Sequence, residues 1–430
     1  MPPLTRSEDM EDYLPLVGAE EATTTSRSSR HARLTSLDVF RGLSIALMIL
    51  VDYAGSFVPS IAHSPWNGLR LADMVMPFFL FVAGLSLALV YKKVSNKISA
   101  TYKATLRAAK LFLLGILLQG GYFHGINSLT YGVDVERIRW LGILQRISIG
   151  YVIAALCEIW FPNLRQGDRR LGPFKLSHFH WLIALSLSTI YLGILYGLYV
   201  PDWKFKGPQS IPSVSSSSGN FTIYTVKCGV RGDLGPACNS AGMIDRYILG
   251  VGHLHTKPVY TNLKECVISS YGDVFESVPS WCLAPFEPEG ILSSLSAAVT
   301  CIIGLHFGHA LMNFEDHKDR VFHWLTSSAS LISIGLLLTL IGIPLNKSLY
   351  TTSYMLLTSA SAGFVFCALY LLVDIWGFRR LFFPLEWMGR HSLSIFVIVA
   401  SNIGVIAIQG FYKTYPENNI VHWVTHLVGR

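Results

Sequence analysis

Long apolar runs with almost no charged residues recur along this chain of 430 residues. Apolar residues make up 51% of the chain, and only 14% of its residues are charged. A helix needs about 20 apolar residues to cross a bilayer, and a backbone in lipid must satisfy its own hydrogen bonds. The chain is therefore predicted to be an all-α polytopic membrane protein in contact with the lipid bilayer. About nine spans meet this length, near residues 36–57, 71–91, 104–123, 139–161, 180–200, 289–312, 324–343, 352–374 and 391–411.

The net charge of +7 follows the loops between these spans. Basic residues collect at 27–33, 92–107, 162–178 and 379–380, whereas the alternate loops carry about one each, apart from the long connection 201–288. By the positive-inside rule the N-terminus is cytosolic. The alternate loops and the C-terminus then face the lumen or the exterior. Because the charge tracks the membrane, we expect no nucleic-acid partner.

One connection, residues 201–288, is far longer than the others and is predicted to be a large lumenal loop. It holds Cys228, Cys238, Cys266 and Cys282, which predicts two disulfides with three possible pairings. Two N-glycosylation sequons, at Asn220 and Asn346, fall on the same predicted side.

Three regions are expected along the chain. Residues 1–35 are polar and carry no recognisable signal peptide, so they are predicted to be a disordered cytosolic segment. Residues 36–411 form the membrane domain, and residues 412–430 form a C-terminal tail.

The first candidate site surrounds His63, which lies in a short turn between two spans, with Asp52 and Asp73 just inside those spans. Ionisable groups at a membrane boundary are unfavourable unless they are paired or functional. They therefore mark a candidate site, the alternative being a loop histidine flanked by two structurally paired aspartates.

The first span carries a polar stripe. At about 100° per residue, Asp38, Arg41, Asp52 and Ser56 share one helix face, and Ser44 flanks it. Such a stripe must face protein or a water-filled cavity. It predicts either a ligand channel or hydrogen-bonded packing between helices.

Three further residues have both a functional and a structural interpretation. Arg146 enters the membrane to a depth similar to that of Asp52, and an ion pair between them would be either structural or positioning. Glu289 begins the sixth span, where it serves the helix start or holds a substrate hydroxyl or amine. Arg390, beside Gly389 at the start of the ninth span, is either part of an anion site or a snorkelling side chain.

The sixth span also contains a pair of histidines, a residue type that binds metal ions. His306 and His309 lie one turn apart, but no carboxylate or cysteine in the sequence pattern completes a zinc site. No metal is predicted, and His178 and His180 are expected to be interfacial.

Several motifs, taken together, resemble one family. They are LDVFRG at 37–42, HSPWNGLRLAD at 63–73, LQR at 144–146, IDR at 244–246, PEGIL at 288–292 and IPLNK at 343–347. Over residues 34–410 the chain resembles the heparan-α-glucosaminide N-acetyltransferase family of lysosomal membrane enzymes. The resemblance implies transfer of acetyl from cytosolic acetyl-CoA to a lumenal terminal glucosamine amine, and a lysosomal or vacuolar location. It aligns the family's active histidine with His63.

The resemblance also has departures. Asp52 stands where the family has an asparagine, and the family's lumenal domain, first span and final span have no counterpart in the sequence. The resulting assignments group the candidate residues by role. They are catalytic His63 and Asp52, substrate-binding Trp66, Asn67, Asp73 and Glu289, and acetyl-CoA-binding Asp38, Arg41, Ser44, Arg146 and Arg390.

A histidine base suits this chemistry, because a protonated amine cannot attack a thioester and histidine titrates near neutral pH. Direct transfer is favoured over an acetyl-histidine intermediate. The alternatives from other classes are a transporter of an anionic or sugar solute and a non-catalytic membrane scaffold. Acetyl-CoA and a lumenal amino sugar are the expected small-molecule partners, and a homodimer is compatible with the sequence.

Overall fold

A computed structural model describes residues 34–55, 57–58, 60–91, 94, 96–119, 138–161, 178–208, 221–255, 258–266 and 279–401. The expectations for residues 1–33, Ser56, Asn220 and the tail 412–430 lie outside this part of the chain. The chain divides into a smaller unit, drawn from residues 1–53, 125–128 and 365–430, and a larger unit of residues 54–124 and 129–364.

Helices dominate the described residues, as the apolar runs predict. In chain order they are α1 Thr35–Ala54, α2 Leu71–Val90, α3 Lys97–Gln119, α4 Ile143–Trp160, α5 His178–Gly197, α6 Ser240–Leu249, α7 Ile291–Asn313, α8 His317–Ile341, α9 Thr352–Leu369, α10 Phe383–Arg390 and α11 Ser392–Ala400. A π-helical turn, Tyr370–Ile375, follows α9. Two short strands, β1 Trp203–Pro208 and β2 Phe221–Val226, lie between α5 and α6.

Among the described residues, six helical segments are long and apolar enough to cross a membrane: α2, α4, α5, α7, α8 and the segment Thr352–Ile375. They coincide with six of the predicted spans, so the polytopic helical character is confirmed. Helices α1 and α3 form close to two further predicted spans, but each carries at least three charged residues. The count of nine spans stays a prediction.

Helix α7 is the central helix of the larger unit and packs closely against α2. Each contact requires a glycine: a Cβ at Gly84 would lie 1.9 Å from the carbonyl oxygen of Cys301, and one at Gly304 would lie 2.1 Å from that of Phe81. Small residues let helix backbones approach in this way. By contrast, only 22% of the most apolar stretch of α5 is buried within the protein, and the same holds for α8. Both helices thus leave apolar surface that suits contact with lipid.

The long connection after α5 forms a small disulfide-bonded layer. Strands β1 and β2 pair antiparallel, from Trp203↔Val226 to Pro208↔Phe221. Cys228 bonds to Cys238 and Cys266 bonds to Cys282, which confirms two disulfides and selects one of the three pairings. The lumenal side of this loop stays a prediction.

Contacts between the long loop and the helix ends fix its position within the larger unit. An aromatic cluster joins Trp66, Tyr191, Tyr260 and Phe286. Asp245, on α6, accepts a hydrogen bond from the backbone N–H of Ile291 at 2.8 Å and so caps the start of α7.

In the smaller unit, α1 packs against α10 with the backbones in direct contact. A Cβ at Gly42 would meet the carbonyl oxygen of Leu385 at 1.8 Å, and one at Gly389 would meet that of Asp38 at 1.7 Å. The glycine of the LDVFRG motif therefore has a packing role.

Candidate active site

The sequence predicts His63 and Asp73 in one site, and the structure places their side chains in contact. The Nδ1 atom of His63 is 3.0 Å from Oδ1 of Asp73. Asp73 is the third residue of α2, and its Oδ2 accepts the backbone N–H groups of Ser64 at 3.2 Å and Arg70 at 3.0 Å. A carboxylate at this position caps the helix and favours its positive end. The local fold therefore fixes the carboxylate that holds the imidazole.

The two members of this pair differ in exposure. The side chain of Asp73 is fully buried, whereas that of His63 is 35% exposed. Asp73 thus holds the ring of His63, and its contact with substrate stays a prediction. The exposed imidazole is accessible to a ligand.

Lys347 completes the cluster and was not assigned a role from the sequence. Its Nζ lies 2.9 Å from Nδ1 and 3.3 Å from Nε2 of His63, and 3.9 Å from Oδ1 of Asp73. An ammonium can only donate, so a hydrogen bond to the ring requires an unprotonated nitrogen. The only signal in the sequence was the place of Lys347 in the IPLNK motif.

The connection after α8 holds Lys347 beside His63 through Asn346. The amide of Asn346 donates to Oδ1 of Asn67 at 3.1 Å and accepts the backbone N–H of Leu349 at 2.8 Å. Because Asn346 is fully buried and its amide is bonded on both sides, the folded chain does not present it for glycosylation. The lumenal side of the Asn346 sequon stays a prediction.

Glu289 belongs to a buried charge cluster before α7. Arg139 donates Nε to Oε2 of Glu287 at 2.7 Å, and its Nη2 donates to both Glu287 and Glu289. Burial alone would raise the pKa of Glu289. Three cations outweigh burial and lower that pKa to about 2: Arg139, Arg146 and Lys347. Glu289 is thus ionised and electrostatically linked to the Lys347 that contacts His63.

Arg146 is also part of this cluster and is almost fully buried. Its Nη2 donates to the carbonyl of Pro288 and to the hydroxyl of Ser293, and its guanidinium lies 5.1 Å from the ring centre of Tyr350. These contacts hold the turn that carries Glu289. Asp52 is exposed and belongs to the other unit, so its pairing with Arg146 and its catalytic role stay predictions.

Trp66 and Asn67, the other predicted substrate contacts, differ in their surroundings. Trp66 is buried, donates its Nε1–H to the carbonyl of Leu234 at 2.9 Å, and packs edge-on against Phe286. It anchors the His63 turn to the long loop. Asn67 is exposed beside that turn. Contact of either residue with substrate stays a prediction.

The remaining predicted acetyl-CoA residues lie in the smaller unit and have protein partners there. Arg41 Nη1 is 3.3 Å from Oδ1 of the buried Asp38, and the buried Ser44 hydroxyl donates to the carbonyl of Phe40 at 2.9 Å. Arg390 is 40% exposed and pairs with Glu386, which also binds Arg379. Their roles toward acetyl-CoA stay predictions.

A second cluster of titratable groups corrects the interpretation of the histidine pair. His309 does have a carboxylate neighbour, Glu158 of α4, at 2.9 Å. His180, expected to be interfacial, is 2% exposed and lies 3.2 Å from the same carboxylate. Sequence spacing did not reveal this group because its members come from three helices.

Comparison with known proteins bears on the His63 site. Residues 33–165 match the model of the family described as heparan-alpha-glucosaminide N-acetyltransferase, catalytic. The chain is 28% identical over 405 residues to the heparan-alpha-glucosaminide N-acetyltransferase of Mus musculus, a match that covers 89% of this chain and 55% of the relative. The Homo sapiens protein of the same name is 28% identical over 407 residues, with the same coverage.

The chain therefore spans about half the length of the curated relatives that it matches. The stretch that matches the family model includes His63, Asp73, Arg139 and Arg146. The motifs and these matches agree that the chain is similar to the heparan-alpha-glucosaminide N-acetyltransferase family.

Proposed function

We propose that the protein is a transmembrane acetyltransferase that moves acetyl from acetyl-CoA to the amine of a terminal glucosamine or a related amino sugar. The names of its relatives and the match to their catalytic model support acetyl transfer. The membrane-length helices support action at a bilayer. We assign acetyl-CoA to the cytosolic side, the amino sugar to the lumenal side, and the protein to a lysosomal or vacuolar membrane.

The observation that carries this proposal is the partly exposed imidazole of His63 held by a fully buried carboxylate. When Nδ1–H donates to Asp73, the lone pair is on Nε2, 3.3 Å from Nζ of Lys347, and the ammonium turns from Nε2 to the thioester oxygen when substrate binds. This is the arrangement of a general base whose tautomer is fixed by a carboxylate.

The reaction proceeds in steps that conserve protons. Nε2 of His63 removes a proton from the substrate ammonium, and the free amine attacks the thioester carbonyl. The nitrogen of the tetrahedral intermediate releases its surplus proton to water, the C–S bond breaks, and the imidazolium gives its proton to the departing sulfur, so the products are the amide, the CoA thiol and one proton in solution. A positioned base contributes about 10²–10⁴ in rate to such a transfer.

Lys347 and Glu289 supply opposite charges near the base. We assign the Lys347 ammonium to the oxyanion that develops on the thioester carbonyl, because a fixed cation stabilises charge formed in the transition state. We assign the ionised Glu289 to a hydroxyl or the ammonium of the sugar. Arg41 and Arg390, with Asp38 and Ser44, are assigned to the path of the CoA moiety, whose phosphates favour guanidinium partners.

The first test uses labelled acetyl-CoA and a panel of amino sugars with detergent-purified protein. We expect His63→Ala to lower transfer at least about 100-fold, since the base is lost, with an unchanged thermal unfolding midpoint. His317→Ala, which removes an exposed histidine at the start of α8, is the matched control and keeps full activity.

Full activity in purified His63→Ala protein would remove the proposal. Sugar flux into liposomes without consumption of acetyl-CoA would instead support the transporter. Failure of the wild-type protein both to bind acetyl-CoA and to transport would support the scaffold.

A further inference from the structure

Three buried metal-ligating side chains converge near the opposite end of the larger unit's helices. Glu158 lies near the end of α4, His180 near the start of α5, and His309 in the last turns of α7. Their side chains are 8%, 3% and 6% exposed. We propose that these residues bind one divalent transition-metal ion, for which Zn²⁺ is the best fit.

The distances between the ligand atoms match a metal site. One oxygen of Glu158, Oε2, lies 2.9 Å from Nε2 of His309 and 3.2 Å from Nε2 of His180, and the three ligand atoms lie within 4.8 Å of one another. Zinc bonds of about 2.0–2.1 Å in a tetrahedron separate neighbouring ligand atoms by about 3.3 Å. A small adjustment of side chains therefore accommodates the ion.

The ligand types also favour zinc. Two imidazoles and one carboxylate are a recurrent zinc set, with the fourth position left to water. Hard cations such as Ca²⁺ and Mg²⁺ prefer oxygen ligands alone. A site with two nitrogen ligands therefore favours a transition metal.

A metal ion explains the buried ring nitrogens of His180 better than a metal-free network of hydrogen bonds does. Its two ring nitrogens are buried and neither has a hydrogen-bond partner of acceptable geometry, although Nε2 approaches Glu158. A buried polar group normally has such a partner. Coordination of Nε2 to a metal supplies it.

The proposed metal site is separate from the other titratable groups nearby and from the His63 site. His306 on α7 and His323 on α8 form their own contact, Nε2 to Nε2 at 3.2 Å. His309 lies sixteen residues along α7 from Ser293, which is about 24 Å at 1.5 Å per residue. The ion would thus cross-link α4, α5 and α7 far from His63, and its binding does not depend on the proposed transferase reaction.

The test measures metal in the full-length protein, purified in detergent with a tag that contains no histidine. After incubation with Zn²⁺ and removal of free ion, mass spectrometry of the elements should find about one zinc per chain, as a single-ion site requires. We expect the same value in His317→Ala, whose exposed histidine is not a ligand. Glu158→Gln and His309→Ala should lose most of it.

Two further readouts keep the result independent of folding in the variants. Cobalt(II) in the wild-type protein should give the strong visible absorption of a tetrahedral site. EDTA should lower the thermal unfolding midpoint of wild-type protein and of His317→Ala, but not that of Glu158→Gln. Wild-type protein that retains no stoichiometric metal, or metal content that is equal in all four proteins, would overturn the proposal in favour of a hydrogen-bonded histidine–glutamate cluster.

Discussion

At the scale of single residues, Asp73 links the start of a helix to the chemistry of a loop. One of its oxygens accepts the backbone N–H of Arg70 at the start of α2 and that of Ser64 in the His63 turn, and the other faces His63. A carboxylate that is already fixed by the backbone loses little entropy when it orients a second group. The orientation of His63 therefore depends on the N-terminus of α2.

Asp73→Asn tests this link. The amide still accepts backbone hydrogen bonds, but its NH₂ turned toward the ring would favour the tautomer with the proton on Nε2. Because the base is then lost, we expect kcat to fall by about 10²–10⁴, with the unfolding midpoint within a few degrees of wild type. Asp319→Asn, in the exposed first turn of α8, is the control. Wild-type kcat in Asp73→Asn would contradict the assigned role.

Asp245 gives a prediction about pH. Burial raises its pKa from the ordinary 3.8 to about 7. The unfolded chain therefore loses this proton at lower pH than the folded chain does. Stability from this group is complete below pH 3.8, declines as pH rises toward about 7, and is constant above. The slope is at most about 1.4 kcal/mol per pH unit.

The measurement is the thermal unfolding midpoint at about pH 5 and about pH 7, the window in which this group titrates. Glu289 does not change the pH dependence of stability in this window, because its pKa is lowered and the group titrates only at more acidic pH. We expect wild type to be more stable at the lower pH, and Asp245→Asn to reduce this difference. Glu265→Gln, an exposed change in the same loop, should retain it; an unchanged difference in Asp245→Asn would refute the assignment.

At the scale of secondary-structure elements, the pairing of α2 with α7 positions the two charged ends of the candidate site. Asp73 lies in the first turn of α2, and Glu289 lies just before α7. The glycines at their contact let the backbones of the two helices approach so closely that neither position has room for a Cβ. A change in helix separation would therefore move the two carboxylates relative to each other.

Gly304→Ala tests this packing. The added methyl group would meet the carbonyl oxygen of Phe81 at 2.1 Å, so the helices must separate. Overpacking of this kind destabilises by about 1–3 kcal/mol, and we expect a lower unfolding midpoint together with lower acetyl transfer. Gly193→Ala on α5, where no atom lies within 4 Å, is the control and should be neutral or slightly stabilising. Equal midpoints for the two variants would show that the contact is not tight.

At the scale of the whole molecule, the orientation in the membrane decides which substrate reaches which end of the helices. The charge rule places the long loop in the lumen and the start of α8 in the cytosol. Tyr247, 91% exposed in the loop helix α6, and Lys318, exposed in the first turn of α8, report these two sides.

Cysteine labelling measures that orientation. The cysteines of the described residues are buried or disulfide-bonded, so background labelling should be low. In sealed vesicles with the cytosolic face outward, a membrane-impermeant maleimide should label Lys318→Cys directly and Tyr247→Cys only after permeabilisation. The reverse pattern would place the His63 turn on the cytosolic side and would exclude the proposed transfer across the membrane.

The sequence predicted the local features of the molecule well. The six apolar segments coincide with predicted spans, and the LDVFRG and HSPWNGLRLAD motifs pointed to His63 and Asp73. These two residues are only ten positions apart, in a turn and in the helix that directly follows it. Their contact is therefore one that a sequence pattern can suggest. The contact of Asp73 with His63 and its full burial came only from the structure, and its contact with substrate stays a prediction.

Contacts between distant segments could not be predicted in the same way. Lys347 lies 284 residues from His63, and Glu158 lies 151 residues from His309. A one-dimensional pattern does not contain these pairs, since each depends on which helix faces meet.

The apolar runs alone determined that this chain forms membrane-length helices, because backbone hydrogen bonding and transfer into lipid depend on each segment by itself. The cysteine count determined that two disulfides can form. Only the tertiary structure decided that Cys228 pairs with Cys238, that Lys347 contacts His63, and that Glu158 joins His180 and His309. Helix packing makes these choices, because it buries polar side chains only where the partners brought by other segments satisfy them.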